Sequence, residues 1–113
     1  MSAIYATNLV INTGTNFSQT FNLSSSENNA AFDLTGYTPT SQIRKWAGAT
    51  GVTTFTAEVQ DPATDGAITL TLTADQTAAL KSGRHVYDIV VTKGTEKTRV
   101  VEGSVLVREG VTR

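Results

Sequence analysis

The chain contains no cysteine and a single histidine, His85. The absence of cysteine excludes disulfide bonds, thiolate catalysis and every zinc site that requires sulfur ligands. A catalytic triad would have to use His85, and the sequence has no G-x-S-x-G nucleophile motif. His85 alternates with Tyr87 and Ile89 on a predicted strand, so we interpret it as a structural or rim residue. We therefore expect no catalytic residue and no enzymatic activity.

Charged residues are also scarce, at 17% of the chain, and the formal net charge is -1. Proteins that bind nucleic acid usually concentrate Lys and Arg on one face, and no such cluster is present. The N-terminal residues show neither a basic region nor an apolar run long enough for a signal peptide or a membrane span. We expect a soluble protein made in the cytoplasm, with no nucleic-acid partner and no membrane contact.

Motifs for metals, phosphates and cofactors are missing as well. The nine glycines are scattered and form neither G-x-G-x-x-G nor a P-loop. Asp61 and Asp65 in "DPATDG" loosely resemble a calcium loop, but the spacing lacks the regular oxygen ligands and the closing Glu. A turn with Asx-type hydrogen bonds explains this segment better. We expect no metal, no cofactor and no small-molecule substrate, although the sequence does not exclude a pair of catalytic carboxylates.

What the sequence does contain is a series of short β-rich segments between turn residues. In "NFSQTFNL" and "AITLTLT" apolar and polar residues alternate, as in strands with one buried face. "VTTFTAEV" alternates too, and we predict that it forms a hairpin with the strand ending in "QIRKW". The segment from Arg84 to Val107 predicts a longer hairpin around a turn at residues 93–96, with a bulge or bend at Gly103.

One helix is predicted, near residues 74–81, in "TADQTAALKSG". Thr73 is placed to cap its first turn, Gln76 completes a capping box and Gly83 suits the C′ position. A short helix before a strand that contains Tyr87 is typical of one corner of an immunoglobulin-like sandwich. Tyr87 would be the corner tyrosine, with its hydroxyl bonded to upstream backbone.

Residues 1–113 therefore predict a single domain, an immunoglobulin-like antiparallel β-sandwich with one short helix. Its core is expected to consist of apolar residues on the inward faces of the strands and the helix: Phe17, Phe21, Ile43, Phe55, Ile68, Leu70, Leu72, Leu80, Tyr87, Ile89, Val101 and Val105.

Three segments resemble a recurrent family of small structural proteins and domains of tailed bacteriophages. They are "FDLTGYTPTSQIRK", "GAITLTLTADQTAALKSGRHVYDIVVT" and "KTRVVEGSVLVREGVTR". The resemblance covers most of the chain from Phe32 onward, and His85 replaces an aromatic residue common in that family. The matched positions are Asp33, Leu34, Thr35, Gly36, Tyr37, Gln42, Ile43, Arg44, Gly83, Arg84, Tyr87, Asp88, Arg99, Glu102 and Gly103.

The resemblance implies an immunoglobulin-type sandwich and a non-enzymatic role in the virion. Such domains occur as stand-alone virion proteins, often in phages of cyanobacteria, and as the N-terminal part of upper-baseplate proteins. We expect multiple copies on the baseplate, tail or capsid, as an adaptor or decoration module whose partners are other virion proteins and copies of itself. The alternative is a host-recognition or glycan-binding module on the particle, with Trp46 and Tyr37 as stacking aromatics.

The chain ends are the expected docking elements. We predict an N-terminal arm (residues 1–7) and a C-terminal tail (residues 108–113) outside the sandwich, because their apolar residues do not follow the strand alternation. Strand addition to a sheet edge is the expected geometry for the arm. The candidate interface residues are Ile4, Tyr5, Trp46, Val111 and Arg113.

Overall fold

The protein is a sandwich of two β-sheets, with one short α-helix in the part of the chain that the structure describes, which confirms the predicted all-β fold. The computed structural model describes residues 5–23, 33–46, 48 and 52–110, and only the backbone of residues 5, 6 and 52. Its elements are β1 (Tyr5–Ala6), β2 (Leu9–Asn12), β3 (Phe17–Asn22), β4 (Thr38–Arg44), β5 (Val52–Thr54), β6 (Thr56–Val59), β7 (Ala67–Leu72), α1 (Ala74–Ala78), β8 (Gly83–Lys93) and β9 (Glu96–Arg108).

The strands divide into a larger and a smaller sheet. The first sheet has the order β1-β9-β8-β4-β5, with β2 also paired to β9, and the second has the order β3-β7-β6. Most neighbours are antiparallel, but β1 and β2 run parallel to β9. No helix within the described residues is long and apolar enough to cross a membrane.

The core lies between the two sheets and matches the predicted one closely. All the predicted core residues are buried except Phe17 and Leu80, which are partly buried and pack against the others. The prediction missed seven further buried apolar residues among those described: Leu9, Ile11, Leu23, Leu34, Val91, Val100 and Val107. Several of these lie at strand ends or in turns, where alternation is weakest as a signal.

The long hairpin forms as predicted, but its irregularity lies elsewhere. Lys93 pairs with Glu96 across the turn, and the register between β8 and β9 shifts between Ile89 and Val90. Ile89 pairs with Val101 and Val90 with Arg99, so Val100 is the extra residue of a β-bulge. The predicted bulge at Gly103 is therefore wrong, since Gly103 pairs regularly with Tyr87.

Gly103 instead allows the N-terminal segment to lie close against β9. Thr7, between β1 and β2, donates its N–H to the Glu102 carbonyl at 3.0 Å. A Cβ atom at position 103 would lie 2.8 Å from the Thr7 carbonyl carbon, and closer still to its oxygen. A glycine inside a strand is expected where another backbone approaches this closely.

Tyr87 binds the same carbonyl from the core side. Its hydroxyl donates to the Thr7 carbonyl oxygen at 2.7 Å, and its side chain is buried. The predicted bond to upstream backbone therefore exists, but the corner assignment is wrong, because the acceptor lies in the N-terminal segment and not a few residues before Tyr87. Burial raises the pKa of the Tyr87 phenol to about 12.

The predicted strand "VTTFTAEV" is divided between the two sheets. β5 pairs with β4, as the predicted hairpin requires, whereas β6 pairs with β7 in the second sheet. Phe55, at the crossing, is buried, and its N–H donates to the Ser41 carbonyl at 3.0 Å. The alternation continues through the crossing, so the sequence pattern does not reveal the change of sheet.

The helix begins where the sequence predicts and ends earlier. The Thr73 hydroxyl accepts from the Gln76 N–H at 3.2 Å, and the Gln76 side chain accepts from the Thr73 N–H at 2.9 Å. This confirms the capping box. The prediction for Gly83 is wrong, because Ala79 is the C-cap residue and Gly83 opens β8.

The "DLTGY" motif folds as a tight turn that enters β4. The Asp33 carboxylate accepts from the Thr35 N–H at 2.9 Å and from the Thr35 hydroxyl at 2.6 Å, and these bonds lower the pKa of Asp33. The Leu34 side chain is buried, and Gly36 adopts a φ of 82°. The Tyr37 N–H closes the turn on the Leu34 carbonyl at 2.9 Å. The motif is thus explained by turn geometry and core packing.

Candidate interaction surface

The outward face of the first sheet carries unusual apolar exposure. Four large apolar side chains in the described part of the chain are exposed: Trp46 (63%), Val10 (51%), Leu106 (43%) and Val86 (37%). On β2, β8 and β9 their sequence neighbours point into the core, so alternation directs these side chains outward. Val10 and Leu106 are partners in the register. Single exposed apolar residues are normal, but their concentration on one face is typical of an interaction surface.

A shallow depression lies on this face beside Trp46. We call its outward-facing side chains the Trp46 face. They come from β4, β8 and β9, together with Trp46 itself, which lies two residues beyond the end of β4. The members are Gln42, Arg44, Trp46, Val86, Asp88, Arg99 and Glu102, and the depression also reaches Tyr87 and Gly103. In the register Arg44 lies opposite Val86, so an aliphatic side chain lies between charged or polar neighbours.

The charges on the Trp46 face are arranged by one arginine. Asp88 and Glu102 lie opposite each other on β8 and β9, a like-charge pairing that is unfavourable by itself. Arg99 relieves it, with its Nε 3.2 Å from an Asp88 oxygen and Nη1 3.9 Å from a Glu102 oxygen. All three side chains are at least a third exposed, so these pairs add little stability. They fix the positions of charges that a partner would meet.

Arg44 and Gln42 supply hydrogen-bonding groups to the same depression. Arg44 Nη2 donates to the Gln42 side-chain oxygen at 3.0 Å. This bond orients the guanidinium on the β4 side of the depression, which Trp46 also lines. The face thus combines a large aromatic group with oriented donors and acceptors, a composition typical of protein interfaces and of sugar-binding sites.

The two predicted stacking aromatics, Tyr37 and Trp46, lie at opposite ends of β4. Tyr37 precedes β4 and Trp46 follows it, so about 30 Å of extended chain separates them. The Tyr37 hydroxyl donates to Glu96 at 3.2 Å, and the Lys93 ammonium lies 5.5 Å from its ring centre. Burial and the bond to Glu96 raise the pKa of Tyr37. The ring and the hydroxyl of Tyr37 therefore make contacts within the fold.

The terminal candidates are mostly outside the described residues. The structure does not describe three of them, Ile4, Val111 and Arg113. The backbone of Tyr5 is described, and it pairs with Val101 of β9 in the same chain. Strand addition by the N-terminal segment therefore occurs within the molecule at Tyr5–Ala6. Just beyond the C-terminal end of β9, the Gly110 N–H donates to the Thr13 hydroxyl at 3.3 Å. Val101, the partner of Tyr5, lies about 23 Å along β9 from Arg108.

His85 has a structural contact in this fold. Its side chain is buried, and its Nε2 donates to the Lys81 carbonyl oxygen at 2.7 Å. The bond ties the start of β8 to the segment after α1. Across the described ranges no three His, Asp or Glu side chains come close enough together to hold a metal ion.

Sequence comparisons find no family model and no curated protein that matches this chain. Structural comparison shows two informative likenesses. The N-terminal domain of phage TP901-1 ORF48 is similar over 94% of this chain and 97% of that domain, with 12% identity and a TM-score of 0.54. Listeria monocytogenes InlP is similar over 95% of this chain, with 15% identity and a TM-score of 0.52.

These two likenesses differ in how much of the other protein they cover. The chain spans only 28% of the Listeria protein but nearly the whole phage domain. At such low identities the likeness concerns the fold alone. The chain therefore has an all-β sandwich fold that is also found as a domain of a phage protein.

Proposed function

We propose that the chain is a non-enzymatic structural module of a tailed-phage particle, present in multiple copies on the baseplate, tail or capsid. Two observations support a phage origin: the motif resemblance from Phe32 onward and the similarity to nearly the full length of a phage domain. Location in the virion follows from the same proposal.

The observation that carries the structural role is the apolar exposure on the Trp46 face. Trp46 is 63% exposed, whereas Trp is among the residues most enriched at interface hot spots. Val86 and the Asp88–Arg99–Glu102 network line the same depression as Trp46. We propose that another virion protein covers this face and that the charges set the orientation of docking.

The experiment is incorporation into particles. Phage carrying Trp46→Ala would be purified, and the amount of this chain per particle measured by quantitative mass spectrometry. We expect incorporation to fall at least tenfold, which corresponds to about 1.4 kcal/mol of lost binding. Glu58→Ala, an exposed change on β6 in the other sheet, is the control and should incorporate normally. Normal incorporation of Trp46→Ala would refute the role of this face.

A second candidate, a glycan-binding module on the particle, also has support from this face. An exposed indole beside Gln42, Arg44 and Asp88 offers both a stacking surface and hydrogen-bonding groups to a sugar. Trp46 is the only tryptophan in the chain, so its fluorescence reports directly on this site. A saturable change in Trp46 emission with host glycans, abolished by Gln42→Ala, would favour this candidate over docking to a virion protein.

A further inference from the structure

The outer edge of β3 is a second candidate interaction surface, and it lies on the second sheet, away from the Trp46 face. β3 is the terminal strand of the second sheet and pairs only with β7 among the described strands. It is six residues long, Phe17–Asn22, and pairs with β7 over its whole length without a bulge. A regular edge of this kind presents backbone donors and acceptors to another strand.

The hydrogen bonds to β7 identify which backbone groups are on the open side. The Leu23 N–H donates to the Gly66 carbonyl at 2.8 Å, directly beyond the Asn22–Ala67 pair. Because the direction of N–H and C=O alternates along an antiparallel strand, the odd-numbered residues of β3 face β7. The N–H and C=O groups of Ser18, Thr20 and Asn22 therefore point away from the sheet.

Within the residues that the structure describes, this edge lacks the usual protection against strand pairing. Charged side chains, proline, shortness or interruption normally protect an edge, and β3 contains no charged residue and no proline. The other described edges are protected: β6 carries Glu58, β5 has three residues, and the β1–β2 edge is interrupted at Thr7 and Asn8.

The β3 edge is also held rigidly in place. The Asn16 side-chain oxygen accepts from the Ala74 N–H at 3.0 Å, and the Thr77 hydroxyl donates to the Thr15 carbonyl at 2.8 Å. Both bonds join the start of β3 to α1. On the outer face, the Thr20 and Thr69 hydroxyls lie 3.0 Å apart. An ordered edge loses less conformational entropy when it pairs.

We propose that the β3 edge pairs with the β3 edge of a second copy of this chain, antiparallel and around a two-fold axis at Thr20. Thr20 of each copy then lies opposite Thr20 of the other, and Ser18 opposite Asn22. The three pairs form about six backbone hydrogen bonds and join two three-stranded sheets into one.

Charge favours a second copy as the occupant. Around a two-fold axis a charged residue near the centre meets its own copy, which is unfavourable, and β3 offers only Ser, Gln, Thr and Asn on its exposed positions. The same pairing at the β6 edge would place the Glu58 side chains of both copies beside the axis. The geometry and charge of the β3 edge do not involve the Trp46 face, so this pairing is expected whether or not the chain belongs to a phage particle.

The test combines sedimentation equilibrium with amide hydrogen exchange on the intact chain. Protein concentrations up to about 1 mM are used, so that a dissociation constant in the millimolar range is still detected. We expect a monomer–dimer equilibrium. The amides of Ser18, Thr20 and Asn22 should gain protection as concentration rises, whereas those of Gln19 and Phe21 should not change. A chain that stays monomeric, with these three amides unprotected at every concentration, would overturn the proposal.

Lysine variants test the position of the two-fold axis. Thr20→Lys places two ammonium groups next to each other and should reduce the association constant at least tenfold, with partial recovery at high salt. Ser18→Lys places each ammonium beside Asn22 and should have a smaller effect. Thr56→Lys, on the opposite edge of the same sheet, is the matched control and should dimerise normally. Equal effects of Thr20→Lys and Thr56→Lys would show that β3 is not the interface.

Discussion

Substitution of Gly103 by alanine should destabilise the protein more than any other single methyl group added to a strand. The new Cβ would lie 2.8 Å from the Thr7 carbonyl carbon and 3.2 Å from Tyr87 Cε1. The first contact is with the backbone of Thr7 and the second with the buried ring of Tyr87, so no flexible side-chain end is available to move aside. The N-terminal segment must therefore shift away from β9, and overpacking of this kind costs about 1–3 kcal/mol.

The displacement also breaks two hydrogen bonds. The Thr7 N–H loses the Glu102 carbonyl, and the Thr7 carbonyl loses the Tyr87 hydroxyl. Each is worth about 1 kcal/mol, so we expect a total loss of about 3–5 kcal/mol in the free energy of unfolding. The measurement is urea-induced unfolding at 25 °C, followed by circular dichroism and by Trp46 fluorescence.

Tyr87→Phe provides the control within the same contact. It removes only the hydroxyl and should cost about 1 kcal/mol without moving the backbone. In the Gly103→Ala background that hydrogen bond is already broken, so Tyr87→Phe should cost almost nothing more there. If Gly103→Ala unfolds within about 0.5 kcal/mol of the wild type, or if the two losses simply add, the reasoning about Thr7 is refuted.

Four further outcomes are expected. Because the pKa of Tyr87 is raised to about 12, the folded protein holds the phenol proton more tightly than the unfolded chain does. The stability linked to this proton is present below about pH 10 and is lost as the pH rises from about 10 to about 12. In pH-dependent unfolding curves, Tyr87→Phe should abolish this loss. Thr73→Ala should lower the free energy of unfolding by about 1 kcal/mol through loss of the helix cap, as urea unfolding would show, and an unchanged midpoint would contradict the capping role. Arg99→Ala should change the free energy of unfolding, measured in the same way, by no more than about 1 kcal/mol, because the ion pairs of Arg99 are exposed. Trp46→Ala should leave the melting temperature nearly unchanged, and a large drop would mean that the indole packs in the fold.

The sequence predicts the parts of the fold in which local pattern and tertiary environment agree. Alternation in β3 and β7 identifies their buried residues, and the Thr73–Gln76 capping box places the start of α1 correctly. The turn at residues 93–96 pairs Lys93 with Glu96 as the hairpin signal indicates. In these segments the interactions that determine the local structure lie within a few residues of each other along the chain. A single sequence is therefore sufficient to predict them.

The errors arise where distant backbone decides the outcome. The sequence predicts a bulge or bend at Gly103, but a glycine inside a strand also permits the close approach of another backbone, and only the position of Thr7 distinguishes these cases. Phe55 is buried in either case, so its pattern does not indicate that the chain crosses between sheets there. The acceptor of the Tyr87 hydroxyl is eighty residues away along the chain, beyond the reach of local reasoning.

The candidate surface was partly predictable. Trp46 was selected from the sequence because it is a lone tryptophan beside a glycine-rich segment, and it is exposed in the fold. Val10 and Leu106 were missed as surface residues, because each lies in an apolar run where alternation does not show which residue faces outward. The register of β2 with β9 is what brings them to the same face.

The measurement that tests the central proposal most directly is a cryo-electron microscopy reconstruction of purified phage particles that encode this chain. The account predicts ordered copies of the sandwich in the particle, with the Trp46 face buried against another virion protein and the indole excluded from solvent. Particles without density for the sandwich, or copies in which the Trp46 face is open to solvent, would contradict it.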